Sequence, residues 1–265
     1  MMIKYLKATL FVFSFFICTT TVAQYGDWDA MLTKYKGLEI GFSKGIAGGA
    51  VIKTTYKRDG KEIEDYKNAK NNYNWGIYMG HSGRLASLGR NQALGIDFGT
   101  MINLVKFTPD GGSYSVEYTD NSGRSHLDIG EVEYTCAGFL LSLDYKIGSE
   151  ATWDRENSKG RMFALGVGLA PKIYTPGIFG GIPSAASLRP YIKAEYGFFL
   201  GIAFKVRATY FTGEQVYADN APALEGLGYY HGTFGPNFLP SVNVSTGSEL
   251  MVSLLIMPFS RGWTF

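Results

Sequence analysis

The sequence predicts an all-β chain: an antiparallel, up-and-down β-barrel that crosses a membrane with eight strands. Three observations carry that expectation. Eight segments alternate with period two between a bulky apolar face and a face of glycine, serine and charged residues. The gaps between them alternate between long and short, as in a meander with loops at one end and turns at the other. Finally, the 265 residues include 34 glycines and 15% aromatics but only 18% charged residues. That is neither the high charge of a disordered chain nor the Leu/Ala/Glu/Lys bias of a helical one.

The chain opens with the three parts of a removable export signal. Lys4 and Lys7 give a positive start, Ala8 to Cys18 an apolar run of 11 residues, and Thr21-Val22-Ala23 small residues ahead of Gln24. The run is too short to span a bilayer, which takes about 20 residues, so residues 1–23 are expected to be a cleavable signal peptide. Removing Lys4 and Lys7 from the 25 basic residues leaves 23, against 23 acidic ones. With no net positive field, nucleic acid is not an expected partner. Cys136 is then the single thiol, so no internal disulfide forms. Over 24–36, Trp28, Met31, Leu32 and Tyr35 have helical spacing behind Asp27 as N-cap, which predicts a short N-terminal helix. Residues 37–265 are assigned to the barrel. No later stretch reaches 18 apolar residues, so no transmembrane helix is expected.

The eight alternating segments follow in order. Leu38, Ile40 and Phe42 oppose Glu39, Gly41 and Ser43, and Trp75, Ile77 and Met79 oppose Asn74, Gly76, Tyr78 and Gly80. Leu94, Ile96, Phe98, Ile102 and Leu104 oppose Gly95, Asp97, Gly99 and Asn103. Phe139 to Ile147 alternates against Gly138, Ser142 and Asp144, and Phe163 to Leu169 against Ala164, Gly166 and Gly168. Ile192, Ala194 and Tyr196 oppose Lys193 and Glu195. Ile202, Phe204, Val206 and Ala208 oppose Lys205 and Arg207. Leu250 to Ile256 opposes Glu249, Met251 and Ser253. The gaps at about 45–72, 107–125, 175–187 and 213–247 are long, with turn signals such as Asp59-Gly60 and Asp110-Gly111-Gly112. Those near 82–91, 148–160 and 197–199 are shorter. Segments 50–56 and 114–118 also alternate and define a ten-strand alternative. They are assigned instead to hairpin arms above the membrane, because the preceding strands already span it.

The quality of the two faces argues for a membrane rather than water outside. A soluble barrel packs its bulk inward, and glycine with mid-strand charge would fill such a core poorly. Turned inside out, the bulky face meets lipid, where a mid-membrane charge costs roughly 2–4 kcal/mol. The charges Glu39, Asp97, Asp144, Lys193, Glu195, Lys205, Arg207 and Glu249 then face the lumen. Tyr73, Trp75, Tyr145, Tyr174, Tyr210 and Trp263 are expected in interfacial girdles.

The sequence ends Arg261-Gly262-Trp263-Thr264-Phe265. By this ending and the alternation it resembles the small, porin-like outer-membrane β-barrels of Gram-negative bacteria, whose last strand ends on an aromatic with another two residues before. The resemblance implies outer-membrane localisation, contact with outer-membrane lipid, and Trp263 and Phe265 as the signal for the barrel-assembly machinery. Pro258 departs from the pattern: it cannot donate a ladder hydrogen bond and is expected to bulge or break the last strand.

No enzyme chemistry is expected. His81, His126 and His231 have no metal-ligand spacing, so no metal site is assigned. In Ser125-His126-Asp128 the serine points away from the other two, so no catalytic residue is assigned. Gly166-Val167-Gly168 lies in a strand without the helix a dinucleotide site needs, and no cofactor is expected. Eight strands enclose a space that side chains just fill, and paired lumen charges would plug it. The expected function is a structural or binding barrel presenting extracellular loops to a partner the sequence does not identify. A narrow porin-like channel for small solutes and an outer-membrane-embedded hydrolase stand as alternatives.

Overall fold

A computed structural model of the chain describes residues 35, 37–120, 123–151, 160–177, 183–200, 202–222 and 240–259. The expected signal peptide (1–23), the helix over 24–36 apart from Tyr35, and Trp263 and Phe265 lie outside the described residues. The last described strand ends at Met257, and a turn follows at Pro258 and Phe259.

The elements are β1 (Leu38–Ala47), β2 (Ala50–Arg58), β3 (Lys61–Gly89), β4 (Gln92–Pro109), β5 (Tyr114–Asp120), β6 (Gly123–Ile129), β7 (Val132–Gly148), β8 (Arg161–Pro176), β9 (Ala185–Phe199), β10 (Ala203–Phe211), β11 (Gln215–Pro222), β12 (Ser241–Thr246) and β13 (Glu249–Met257). Eight of them, β1, β3, β4, β7, β8, β9, β10 and β13, pair antiparallel in a closed ring, β13 meeting β1 and β1 meeting β3. Each alternating segment of the sequence falls in one ring strand. A paired row of residues runs from Leu94 through Tyr145, Leu165, Ala194, Ala208, Val252, Lys44 and Trp75. It returns to β4 at Leu104, ten residues above its start. That stagger tilts the strands by about 40° and leaves an interior only as wide as the side chains that fill it.

Three of the expected long loops, at 45–72, 107–125 and 213–247, hold strands instead. β1 resumes beyond Gly48 and Gly49 as β2, β10 resumes beyond residues 212–214 as β11, and β12 passes through Gly247 and Ser248 into β13. β2, β12 and β11 pair side by side on the first part of β3, so the wall continues past the ring as a tower. The gap at 82–91 is strand as well: β3 runs to Gly89 and turns straight into β4. The alternating segments 50–56 and 114–118, read as hairpin arms, fall in β2 and β5, whereas β11, β12 and the two ends of β3 show no membrane-strand alternation in the sequence. The Asp59-Gly60 signal makes a two-residue hairpin turn between the paired Arg58 and Lys61. Its φ values of 52° and 77° are the double positive that a type I′ turn requires.

The tower has its own apolar core. Ile52, Phe107, Tyr134, Tyr174, Tyr217 and Val244 are buried together, and the β5–β6 hairpin adds Val116, Leu127 and Ile129. Tyr174 was expected in an interfacial girdle but lies wholly inside, its ring tilted 60° to that of Tyr217 with centroids 4.9 Å apart. Its strand position has the parity of Gly168 and Lys172, which are inward, and that parity outweighs its closeness to the strand end. The hairpin is tied to β2 by Tyr114 Oη and Thr54 Oγ1 at 2.9 Å, and Arg124 lies 3.6 Å from Asp59. Burial raises the Tyr114 phenol above its usual range, so it stays neutral and hydrogen-bonding.

The tower does not close as the ring does. β11 ends the sheet order, and above Pro190 the edge of β9 faces it without a ladder. Ser184 bridges the seam, its Oγ donating to the Tyr217 carbonyl at 2.6 Å and its carbonyl accepting from Asp219 N–H at 3.3 Å. Lower down, the buried Arg189 guanidinium donates to the carbonyls of Phe211, Thr212, Gly213 and Gly247 and to Gln215 Oε1. One side chain thus satisfies the backbone at two of the three strand interruptions.

Because the ring has no edge from which to fray, it opens only as a unit. Folded protein in cold SDS is therefore expected to run at a different mobility from a boiled sample; identical migration would count against a closed ring.

Candidate functional site

Inward positions of the ring carry charge at a density that water or a partner must balance, and the partners are other inward side chains. Glu39, Asp97, Asp144, Lys193, Glu195, Lys205 and Arg207 are all buried and meet in one network. Lys205 Nζ lies 2.5 Å from Glu39 Oε1 and 2.8 Å from Glu150 Oε1. Arg207 reaches Glu39 Oε2 through Nη2 and Glu195 Oε1 through Nε, both at 2.5 Å. Asp97 receives Lys146 at 2.8 Å, Lys193, and Arg207 at 3.4 Å. The Arg207 guanidinium also stacks over Tyr78, 4.6 Å from the ring centroid. Such a network is tolerable in a low-dielectric interior because nearly every charge has an opposite neighbour.

Glu249, the eighth charge that the sequence places in the lumen, is not part of this network. It lies higher, 3.6 Å from Lys172, and accepts from Asn74 Nδ2, whose own Oδ1 accepts from Asn103 Nδ2 at 3.0 Å. Between the two polar levels is an apolar layer of Tyr78, Met101, Leu140, Tyr191, Phe211 and Met251. Met162, Ala164, Ala203 and Met257 form another at the short-turn end. The inward glycines make room for this filling. A Cβ at Gly99 would meet the Tyr78 ring, and one at Gly166 the Asp144 carboxylate.

Sequence reasoning overlooked Lys146, Glu150, Lys172 and Arg189. Three had a signal: Lys146 shares parity with Asp144, Lys172 with Gly168, and Arg189 with Lys193. Glu150 had none, because it reaches the network from a turn after β7.

The outward face is the opposite in character. Outward positions run Ile40 to Ile46, Trp75 to Met79, Leu94 to Leu104, Phe139 to Ile147, Phe163 to Ile173, Ile192 to Tyr196, Phe204 to Tyr210 and Leu250 to Ile256. They carry a single charged side chain, Lys44. Large apolar residues there are left open, Phe42 at 68% and Val167 at 61%. Trp75, Tyr145 and Tyr210 are also outward. An exposed apolar surface that encircles the whole ring far exceeds the patches a water-facing monomer tolerates.

The weighed chemistry is dispersed. His126 and Asp128 are exposed on one face of β6 in the tower, with Ser125 on the other, and His81 stacks outward on Phe98 at 5.6 Å. His231 lies outside the described residues. Glu39, Asp97 and Glu195 bring carboxylate oxygens within 4.8 Å of one another, a spacing that suits a cation. Those carboxylates are already contacted by Lys193, Lys205 and Arg207.

No protein-family model matches the sequence, and no curated protein does. Among solved structures the chain is similar to the outer membrane protease OmpT of Escherichia coli. The TM-score is 0.39 at 9% identity, over 84% of this chain and 96% of that one. It is also similar to Ail, the attachment invasion locus protein of Yersinia pestis, solved with the heparin analogue sucrose octasulfate. There the TM-score is 0.26 at 8% identity, over 83% and 99%. The closed ring, its stagger, the apolar exterior and the charged interior are themselves the organisation of a small outer-membrane β-barrel.

The lower network sets five carboxylates (Glu39, Asp97, Asp144, Glu150, Glu195) against four cations (Lys146, Lys193, Lys205, Arg207). Asp144 is the member whose oxygens take no hydrogen bond; Lys193 Nζ lies 3.1 Å away without hydrogen-bond geometry. Asp97→Asn strips the charge that three cations share and is expected to cost about 3–5 kcal/mol. Asp144→Asn evens the count and should change stability by less than about 1 kcal/mol. Urea unfolding of both variants in lipid vesicles, read by tryptophan fluorescence, checks the ordering.

Proposed function

We propose that the protein is an integral outer-membrane barrel with a side-chain-filled lumen, a structural or binding barrel that displays its tower outside the cell. The observation that carries this reading is the stacking of two polar levels and two apolar layers inside one eight-strand ring. Such an interior supports a rigid anchor and leaves no wide path for solute. The apolar exterior supports lipid as its surroundings. On this reading the leader at 1–23 exports the chain, and Trp263 and Phe265 address it to the barrel-assembly machinery. The long-strand end carrying the tower then faces outward and meets the unidentified partner. No enzymatic role is proposed.

Two measurements test the reading. In a planar bilayer the purified protein should give no steady open channel; a stable conductance step would replace the anchor by the narrow channel. Separately, Leu165→Arg and Val252→Arg each place a charge on the outward face of one paired row. Each should lower folding stability in vesicles by roughly 2–4 kcal/mol. Full tolerance of both arginines would mean that the outward face does not meet hydrocarbon.

A further inference from the structure

Above the apolar belt, the outward face of the tower is concave. A groove of about 490 Å³ lies across β3, β2, β12 and β11. The register lays out its lining in two rows. In the upper row Tyr66 pairs with Lys53 and Lys53 with Asn243, and Asp219, one residue past the Ala218–Val244 pair, ends the row on β11. In the lower row Val51 pairs with Ser245 and Ser245 with Val216, and Glu214 stands at the foot just before β11. Adjacent strands set these side chains about 4.8 Å apart. A bulge between Val216 and Ala218 turns Tyr217 into the core and bends β11. Tyr66 is 56% exposed and yet fixed in place. Its Oη donates to Glu64 Oε2 at 2.7 Å, and Lys53 Nζ lies 2.6 Å from Glu64 Oε1 and 5.6 Å from the ring centroid.

From this arrangement we propose that the groove binds an amino-bearing oligosaccharide, one sugar ring against Tyr66 and its ammonium groups against Glu214 and Asp219. This names a partner class for the tower and rests on the reading of the tower as an outward display. The upper row places side by side a donor (Lys53), a carboxamide that donates and accepts (Asn243) and an acceptor (Asp219); Ser245 below does both. Neighbouring hydroxyls, each donor and acceptor at once, match such a row. A peptide matches it worse, because the groove lies on a sheet face, whereas an extended peptide draws its main-chain hydrogen bonds from a sheet edge. The Tyr66 ring, Val51 and Val216 supply apolar surface for the C–H faces of sugar rings. Charge settles the rest. Glu64 already pairs with Lys53, so the carboxylates of Glu214 and Asp219 set the sign of the groove. They repel sulfated or phosphorylated glycans and favour amines through charge-assisted hydrogen bonds.

The test is titration calorimetry of the full-length protein in detergent micelles, with a trisaccharide of glucosamine as probe in mildly acid buffer, where its amines are protonated. Its N-acetylated and N-sulfated forms and trilysine are the comparison arms. The wild type should bind the glucosamine trisaccharide about tenfold more tightly than the N-acetylated form, the worth of one hydrogen bond to a charged group. The N-sulfated form and trilysine should bind more weakly still. Tyr66→Ala should weaken the trisaccharide about tenfold as well, the cost of losing the ring, whereas Tyr66→Phe, which keeps the ring, should stay close to wild type. Glu214→Gln combined with Asp219→Asn should erase the preference for free amines and leave the N-acetylated form bound as before. No binding, equal binding by wild type and Tyr66→Ala, no preference for free amines, or equal affinity for trilysine would each overturn the site. A fluorescent trisaccharide on intact cells with and without the protein separates the two failures. A heat-shifted purified barrel that does not bind refutes the groove alone, whereas binding by purified protein but not by cells upholds the groove and refutes the outward display beneath it.

Discussion

Everything in this molecule depends on backbone groups that cannot be left unpaired in hydrocarbon. A sheet crossing a bilayer has no water to satisfy an edge, so β13 must find β1 and the wall must return on itself. Closure with eight strands and a ten-residue stagger then fixes the bore, and the bore fixes what the sequence can put inside. Large inward side chains find room where a neighbour shrinks to glycine, as Gly99 does under Tyr78 and Gly166 beside Asp144 and Lys193. The glycines at these inward ring positions are therefore a packing requirement of the lumen.

Filling the bore with charge is a choice with consequences. An apolar interior would have made both faces alike, and a strand slipped by one residue would have lost little. With Glu39, Glu195, Lys205 and Arg207 on one face, a one-residue slip turns every ion pair of a strand into lipid. The network thus specifies register as well as blocking the lumen. The apolar layer of Tyr78, Tyr191 and Phe211 divides the lower polar level from that of Lys172 and Glu249, so neither level can relax into the other.

The ring was legible because its signal is periodic and two-sided. Strands such as β8 and β13 alternate without a break, and parity alone orients Glu195 and Lys205. The same rule, followed further, reaches Lys146, Lys172 and Arg189, and it corrects Tyr174. It fails for Glu150, which arrives from a turn, and for β11 and β12, which lie in what reads as one long loop; β2 falls on the alternating segment 50–56, which reads as a hairpin arm. Asp59-Gly60 was recognisable as a turn, but nothing local said that it tips a hairpin continuous with the ring. The seam between β9 and β11, and the arginine that spans it, are products of three-dimensional closure and have no sequence signature.

The interruptions at Gly48-Gly49, at residues 212–214 and at Gly247-Ser248 fall on strands that lie side by side, while β3, β4, β7 and β8 pass the same level unbroken. The wall is therefore mechanically lopsided. A pull on the tower loads four continuous strands on one flank. On the other it loads little more than loop backbone gathered by the Arg189 guanidinium. Bending would concentrate at that clasp, so the joint between anchor and display surface behaves as a leaf spring with a latch, stiff in one direction and compliant in the other.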